Sequence, residues 1–505
     1  MLFLGFDSST QSLTAQIIEV VGDTASLVWE SALNFDRDLP QYGTRHGVSP
    51  NADPRIVEAP PQMWAEALDM MMARIAASDV DVSSIAAISG SAQQHGTVYL
   101  GDAGFTRDRS PIWLDSSTEV ECAEITASLG GDDAAARLTG SRVFERFAGP
   151  QIRRFWKARP GDYARTRRIH LISSFLCSEL LGANAPIDAG DGSGMSLMRL
   201  SKAEWDPVAL AATAPDLGAK LPAISPSDSI VGTLGRRWQE RYGFPAADIV
   251  PWTGDNSSSL IGSGCVEEGT LAISLGTSDT IFGVMREPRI SANGEGHVFA
   301  APTGDFMGIT VFANGSLARE HIRDQYGMNW FTFSRALHAT PAGNNGGLLL
   351  PWFVPEITPH VPRPRAKRLN IEEHEAARNV RAIVEAQMMA MANHSTWMGV
   401  DVGTVYATGG ASGNRDVLQI MADVFDARVF ASPVRNSACL GATLRAWHAH
   451  ARAGRAGSAP VSWPDVVRDL TAPDPASVVT PNPANAEIYA TLRRAYAAFE
   501  LANTQ

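Results

Sequence analysis

The segment TGDN places a carboxylate, Asp255, directly after an apolar strand and next to Asn256. An aspartate at such a turn often only caps the helix that follows, which here would begin in SSSLIGSG. The same carboxylate could act as a general base, which orients an attacking hydroxyl and accepts its proton during phosphoryl transfer. Both interpretations of Asp255 stay open at this point.

Two hairpin turns rich in hydroxyl groups, in LGFDSST and SLGTSDT, lie far apart in the chain. Backbone N–H groups in tight turns converge on anions, so a pair of related turns predicts a phosphate site and a duplicated domain. A hydrogen-bonded Asx or Ser/Thr turn is the purely structural alternative. The residues concerned are Asp7, Ser9, Thr10, Gly276, Thr277 and Ser278.

The segment VYATGGASGN predicts a strand over 405–407, then a glycine loop with Gly409, Gly410 and Gly413, and then a helix over 415–425. Glycines let a flat ligand approach the backbone, and a helix start favours phosphate. This pattern suits a nucleotide, although a Gly-rich strand-to-helix turn is the structural alternative. The chain has neither a GxGxxG nor a GxxxxGK[ST] motif, so neither a Rossmann nor a P-loop site is indicated.

Polar side chains follow a predicted strand, IAAIS, in the segment SGSAQQHG. Gln93, Gln94 and His95 could hydrogen-bond the hydroxyls of a small polar molecule. A lone histidine is more often structural, and the adjacent glutamines favour ligand binding. Arg146, in SRVFERF, is either a surface charge or a further polyol ligand.

Composition indicates a soluble α/β protein with two or more domains, because 505 residues are too many for one core. The formal charge of 42 minus 54, or −12, disfavours general binding to nucleic acid or to an anionic membrane. Four widely spaced cysteines suit a reducing compartment, and the N-terminus lacks a basic flank before its apolar run. A cytoplasmic location is therefore expected.

The order of predicted elements suggests a boundary near residue 250. Residues 62–77 and a final segment, AEIYATLRRAYAAFELA, repeat apolar side chains at helical spacing. Residues 36–61 are polar and rich in Pro and Gly, which predicts a functional flap or a surface insertion.

Taken in order, these segments resemble the FGGY family of carbohydrate kinases. The resemblance extends from residue 4 to residue 442 and is carried by LGFDSSTQ, NFDRDLP, SAQQHG, PIWLDSST, TGSRVFERF, DGSGM, TGDN, SLGTSDT, NGSL, ATGGASGN, LQIMADVFDA and NSACLGA. It implies two ribonuclease H-like domains of the actin and hexokinase type flanking a catalytic cleft. Residues 1–249 would then bind the sugar, and residues 250–505, with a C-terminal helical tail, would bind the nucleotide.

The resemblance also implies residue roles. Asp255 would be the catalytic base, the two hairpins would bind phosphate, and Asp7 would help to position Mg²⁺. The residues expected to hold the sugar are Gln94, His95, Arg146, Asp255 and Asn256, and those expected at the nucleotide are Trp330, Gly409, Gly410 and Asn414.

The activity implied is ATP- and Mg²⁺-dependent phosphorylation of the terminal hydroxyl of D-xylulose. Another ketose or polyol, such as ribulose or an erythrulose-like sugar, is the alternative within the enzyme class. A non-catalytic sugar or nucleotide sensor on the same fold is the alternative outside it. The expected partners are a small sugar and ATP, without nucleic acid or membrane, and a homodimer is left open as the assembly.

Overall fold

The computed structural model describes residues 1–291, 293–454 and 461–504, and the chain divides into two units. The first comprises Met1–Gly264, Val298–Met307 and Asn436–Leu470, and the second comprises Cys265–His297, Gly308–Arg435 and Thr471–Gln505. The sequence suggested a boundary near residue 250, whereas 250–264 and 436–470 fold with the first unit.

The strands are short in most of the chain and long at the two predicted hairpins. Before residue 255 they are β1 (Leu2–Ser8), β2 (Ser12–Val21), β3 (Thr24–Asn34), β4 (Glu58–Ala59), β5 (Ile85–Ala92), β6 (Thr97–Gly101), β7 (Gly104–Phe105), β8 (Ser110–Pro111), β9 (Arg168–Leu171), β10 (Ile187–Asp188), β11 (Met198–Arg199), β12 (Glu204–Trp205), β13 (Ile224–Ser225), β14 (Gly232–Thr233), β15 (Asp248–Ile249) and β16 (Thr253–Gly254). After it they are β17 (Thr270–Leu275), β18 (Asp279–Met285), β19 (Gly296–Ala300), β20 (Phe306–Phe312), β21 (Leu348–Leu350), β22 (Lys367–Leu369), β23 (Thr404–Gly409) and β24 (Arg428–Ala431).

The helices confirm the mixed α/β class. They are α1 (Phe35–Asp38), α2 (Pro61–Ala76), α3 (Glu119–Ser128), α4 (Asp132–Thr139), α5 (Ala148–Ala158), α6 (Pro160–Arg165), α7 (Ile172–Leu181), α8 (Ala189–Gly192), α9 (Pro207–Thr213), α10 (Leu217–Lys220), α11 (Arg236–Tyr242), α12 (Asp255–Gly262), α13 (Ser316–Gln325), α14 (Trp330–Ala339), α15 (Ala376–His394), α16 (Arg415–Phe425), α17 (Ser437–Arg452), α18 (Trp463–Thr471) and α19 (Ala486–Leu501). The predicted helices near 62–77, at 415–425 and at the end of the chain are α2, α16 and α19.

The large sheet of the first unit has the strand order β14-β15-β5-β1-β2-β3, and β16 also pairs with β5. Strands β1, β2 and β3 form an antiparallel meander, whereas β5 runs parallel to β1, β15 and β16. Its core is built from alternate apolar residues of these strands and from α2, whose Trp64, Leu68 and Ile75 are fully buried.

The second large sheet has the order β19-β20-β18-β17-β23-β24. Strand β17 is antiparallel to β18 and parallel to β23, and β23 is parallel to β24. The same arrangement, a hairpin whose first strand pairs in parallel with later strands, occurs at β1 in the first unit. This shared topology supports the duplication that the two hairpins predict.

Helix α17 belongs to the first unit although it lies late in the chain, because glycines let it pack directly on backbone. A Cβ at Gly441 would stand 1.8 Å from the Ser258 carbonyl oxygen of α12, and one at Gly5 of β1 would stand 2.4 Å from the Thr443 backbone nitrogen. Only glycine fits such approaches. Helix α17 therefore supports both β1 and α12.

Candidate active site

The first unit gathers its polar residues where parallel strands end. Asp7 of β1 lies opposite Ser91 of β5, and Ser91 also lies opposite Thr253 of β16. Because β1, β5 and β16 are parallel, their carboxyl ends meet at one edge of the sheet, where ligands bind in open α/β sheets. Asp255 follows β16 directly, so the pairing brings the predicted base and the predicted metal ligand to the same edge.

Asp255 is the first residue of α12, and Gly254 occupies the N-cap position. One carboxylate oxygen, Oδ1, accepts the backbone N–H of Asn256 at 2.8 Å. Burial, reinforced by the negative charge of Asp7, raises the pKa of Asp255 to about 7. A carboxyl with this pKa is well matched to accept a proton near neutral pH.

Asp7 lies beside this group. Its Oδ1 accepts the Ser91 hydroxyl at 2.7 Å. Burial raises the pKa of Asp7 to about 6, and the hydrogen bond from Ser91 opposes that shift. Sequence reasoning missed Ser91, whose only signal was its place in the strand before the two glutamines.

Gln94 and Asn256, both predicted sugar ligands, contact one another. The Asn256 side-chain amide donates to Gln94 Oε1 at 2.7 Å. Gly254 leaves room for this contact, since a Cβ there would stand 2.2 Å from Gln94 Cγ. Gln94 Nε2 is buried and has no hydrogen-bond partner among the described residues, so it is available to a ligand.

His95 has a φ of 73°, in the left-handed region that residues other than glycine adopt uncommonly. Its Nδ1 lies 2.9 Å from the Gly194 carbonyl oxygen, and its ring packs 4.5 Å from that of Phe147. Burial, with the nearby charge of Arg146, lowers the pKa of His95 to about 3. The imidazole is therefore neutral, with Nδ1 as donor and Nε2 as acceptor.

Arg146 is half-buried and lies over the rings of Phe144 and Phe147, at 5.1 and 5.8 Å from their centroids. Burial lowers the pKa of its guanidinium, and the charge of Glu145 opposes that shift. The aromatic rings hold the cation by cation–π attraction. Arg146 and His95 both pack against Phe147, so the positive charge of Arg146 is close enough to lower the pKa of His95.

The DGSGM segment contributes a carboxylate to which sequence reasoning gave no role. Asp191 is 1% exposed, and its Oδ2 accepts the Ser173 hydroxyl, while Oδ1 has no hydrogen-bond partner in the part of the chain that the structure describes. Burial, with the charges of Asp188 and Asp255, raises the pKa of Asp191 well above its usual range. The only sequence signal was the motif itself.

The second unit has a cavity of about 750 Å³ beside its hairpin. Of the four predicted nucleotide residues, the cavity is lined by Trp330, Gly410 and Asn414. Of the three phosphate residues predicted in this hairpin, it is lined by Gly276 and Thr277. The lining residues include Gly276, Thr277, Arg319, Trp330, Ser334, Gly410 and Asn414. Trp330 is 47% exposed and stacks against Arg323 at 4.6 Å, so it is a surface residue rather than a core residue.

Close backbone packing fixes the wall of this cavity. Gly409 has φ at 86°, and a Cβ there would stand 2.4 Å from the Leu275 carbonyl oxygen. Asp279 follows the hairpin turn and forms a buried ion pair of 2.9 Å with Arg319. The Asn414 side chain caps α16 and donates to Ser334 Oγ at 2.7 Å. Ser278, at the tip of the turn, is exposed.

The first hairpin turn is closed by its own hydroxyls. Ser9 Oγ lies 2.9 Å from Ser12 Oγ, and Thr10 Oγ1 accepts the indole N–H of Trp113 at 2.9 Å. Both Ser9 and Thr10 remain partly accessible. Their role at a phosphate stays a prediction.

The described residues contain no cluster of three or more His, Cys, Asp or Glu side chains arranged to hold a metal ion. Among the same residues, no helix combines the length and the apolarity that crossing a bilayer requires. The four cysteines are buried, and within the described part of the chain none of them forms a disulfide.

Comparison with known proteins agrees with this architecture. Residues 4–262 match the N-terminal domain of the FGGY family of carbohydrate kinases, and residues 271–450 match its C-terminal domain. The chain is 39% identical to xylulose kinase of Rattus norvegicus over 98% of this chain and 96% of the rat protein. It is 37% identical to xylulose kinase 2 of Arabidopsis thaliana over 88% of this chain and 87% of that protein.

The fold is shared with the crystal structure of xylulose kinase from Rhodospirillum rubrum. The TM-score is 0.85, the identity is 18%, and the match covers 99% of both chains. Family models cover both halves of the sequence, and full-length relatives exceed 30% identity. The chain therefore belongs to the FGGY family of carbohydrate kinases.

Proposed function

We propose that this protein transfers the γ-phosphate of ATP to the terminal hydroxyl of D-xylulose, giving D-xylulose 5-phosphate. The observation that carries the proposal is the environment of Asp255, a buried carboxyl with a pKa of about 7 whose Oδ1 lies 3.3 Å from the Asn256 side-chain amide, which in turn bonds Gln94. The similarity to full-length xylulose kinases supports the choice of sugar.

Asp255 is the proposed base. The hydroxyl oxygen attacks the γ-phosphorus, the bond from that phosphorus to the bridging oxygen breaks, and ADP leaves. The hydroxyl proton passes to the Asp255 carboxylate. Base catalysis of this kind is worth roughly 10²–10⁴ in rate.

Gln94, His95, Arg146 and Asn256 are the proposed sugar ligands. Gln94 Nε2 has no partner within residues 1–291, 293–454 and 461–504 and can donate to a sugar oxygen. His95 is neutral with Nε2 as its acceptor nitrogen, which suits a hydroxyl donor. The Arg146 guanidinium supplies further donors.

The cavity of the second unit is the proposed nucleotide site, with Trp330, Gly409, Gly410 and Asn414 around the nucleoside. Gly276, Thr277 and Ser278 are the proposed phosphate ligands of this unit. For the first unit, the proposed phosphate ligands are Ser9 and Thr10. An exposed indole and a glycine loop offer a stacking surface and an open backbone to a flat base. The 750 Å³ volume is within the range of small-molecule sites.

The donor set fits a magnesium ion that arrives with ATP. Mg²⁺ usually binds one or two protein carboxylates together with substrate phosphates and water, rather than a full protein cage. Asp7, partly accessible and beside Asp255, is the carboxylate that would hold it. When bound, the ion would neutralise charge on the transferring phosphoryl group.

We also propose a cytoplasmic location, since four buried cysteines that form no disulfide among the described residues suit a reducing compartment. The activity is tested by coupling ADP release to NADH oxidation with D-xylulose, D-ribulose, L-erythrulose and glycerol as acceptors. D-xylulose should give the highest kcat/KM. A higher value for another acceptor would reassign the substrate, and sugar-independent ADP release alone would reject the proposal.

A further inference from the structure

We infer that Thr253, Asp188 and Arg445 form a buried network that positions Asp255. This inference rests on the proposed function, in which Asp255 is the base. All three side chains are fully buried, and none of them was assigned a role by sequence reasoning.

Asp188 is the centre of this network. Its Oδ1 accepts the Thr253 hydroxyl and the backbone N–H of Gly190, the latter at 2.8 Å, and its Oδ2 accepts the Ser227 hydroxyl. Thr253 lies in β16, two residues before Asp255. The Asp188 carboxylate therefore holds the strand that leads into α12.

Arg445, on α17, joins the same carboxylate to backbone carbonyls. Its Nη2 lies 3.7 Å from Asp188 Oδ2 and donates to Pro251 O at 2.7 Å, and its Nη1 donates to Gly90 O at 3.2 Å. Pro251 precedes β16, and Gly90 belongs to β5, which leads to Gln94 and His95.

The three segments tied together are those that carry the proposed sugar site. Two of these segments are β5 and β16. The third begins at Asp188 and includes Gly194, whose carbonyl oxygen bonds His95. A buried ion pair costs desolvation and is weak evidence for stability, whereas it can hold one geometry among several. Its connections here indicate that it fixes the relative placement of Asp255, Gln94 and His95.

Thr253 is the residue to vary, because removing a partner of the buried ion pair would leave an uncompensated charge and endanger folding. Thr253→Val removes the hydroxyl at nearly constant shape, and Thr253→Ser retains it. Thr213→Val is the matched control, since Thr213 is fully buried in the same unit and its hydroxyl donates to the carbonyl of Ala209, one turn earlier in its own helix, at 2.9 Å.

The assay is steady-state phosphorylation of whichever sugar the wild-type enzyme prefers, so a wrong sugar assignment would not be mistaken for a failed network. Thr253→Val should lower kcat by about 10–100-fold, because displacing a catalytic group by about 1 Å can cost that much in rate. KM for ATP should change by less than about twofold. Thr253→Ser and Thr213→Val should keep kcat within about threefold of wild type.

The inference is overturned if Thr253→Val keeps the wild-type kcat, if Thr253→Ser is as impaired as the valine variant, or if Thr213→Val loses as much activity. Melting temperatures measured in parallel separate positioning from folding. Should the valine variant not fold, Thr253→Ser and Thr253→Ala give the same comparison, because they differ only in the hydroxyl.

Discussion

The side-chain amide of Asn256 donates to Gln94 Oε1 at 2.7 Å, which joins the loop after β5 to the first turn of α12. Because Gln94 uses its oxygen in this bond, its Nε2 is left as a buried donor that no described residue of the chain satisfies. Such an atom is costly unless a ligand or water meets it. The bond between Asn256 and Gln94 thus fixes the orientation of both side-chain amides and leaves Gln94 Nε2 as the donor proposed to face a sugar.

Replacing the proposed base should abolish turnover without removing nucleotide binding. Asp255→Asn keeps the size of the side chain and its bond to the Asn256 N–H, but the amide cannot accept the proton. We expect kcat to fall by roughly 10²–10⁴. Steady-state kinetics and ATP titration by calorimetry check this, with the exposed Asp133→Asn as control. Turnover near that of wild type would remove Asp255 from the base role.

The rate should depend on pH through carboxyls with raised pKa values. Asp255 acts only when ionised, and its pKa is about 7, so kcat should be low in acid and rise as the pH increases through 7. His95, with a pKa of about 3, stays neutral above pH 5 and should cause no change in kcat between pH 5 and 9. A profile of kcat from pH 5 to 9 checks this. A kcat that stays constant from pH 5 to 9, as expected if Asp255 titrated near pH 4 like an ordinary aspartate, would contradict it.

Substitution of His95 should weaken sugar binding specifically. Asn tolerates the positive φ at this position better than most residues, so His95→Asn removes the imidazole with little added backbone strain. We expect KM for D-xylulose to rise about tenfold, the value of one lost hydrogen bond, and KM for ATP to stay unchanged. Equal increases in both constants would identify a structural histidine.

Replacing Gly441 by alanine, where α12 and α17 cross, should destabilise the protein. A Cβ at Gly441 would stand 1.8 Å from the Ser258 carbonyl oxygen, so Gly441→Ala must separate the helices. We expect a loss of about 1–3 kcal/mol in the free energy of unfolding, measured by thermal or urea denaturation. Gly161→Ala in α6, where the new Cβ meets one atom at 3.9 Å, is the control and should be nearly neutral. Equal stability of both variants would refute the close crossing.

Local patterns in the sequence predicted the local structure well. The helix over 415–425 has the expected bounds, because a glycine loop starts it and apolar residues recur at helical spacing. The two hairpins were likewise evident from apolar runs interrupted by small polar residues. Trp330 was assigned to the nucleotide through the resemblance and not through local spacing, and it is exposed and lines the cavity of the second unit.

Long-range arrangement could not be obtained in this way. Asp188 and Arg445 lie far apart in the sequence, and nothing in either segment indicates that α17 packs beneath β1 and α12. The pKa values of Asp7, Asp191 and Asp255 depend on burial and on one another, which only the folded chain creates. Sequence motifs identified the candidate residues Asp7 and Asp255, whereas the packing of the folded chain determines the pKa values of their carboxyls.

The most direct test of the proposed activity is phosphorus-31 NMR of D-xylulose with ATP, Mg²⁺ and the wild-type protein. We expect one sugar monophosphate resonance, coupled to the two C5 protons, to grow in equal amount with ADP. Release of inorganic phosphate without that resonance, or a phosphate on another carbon, would contradict the account.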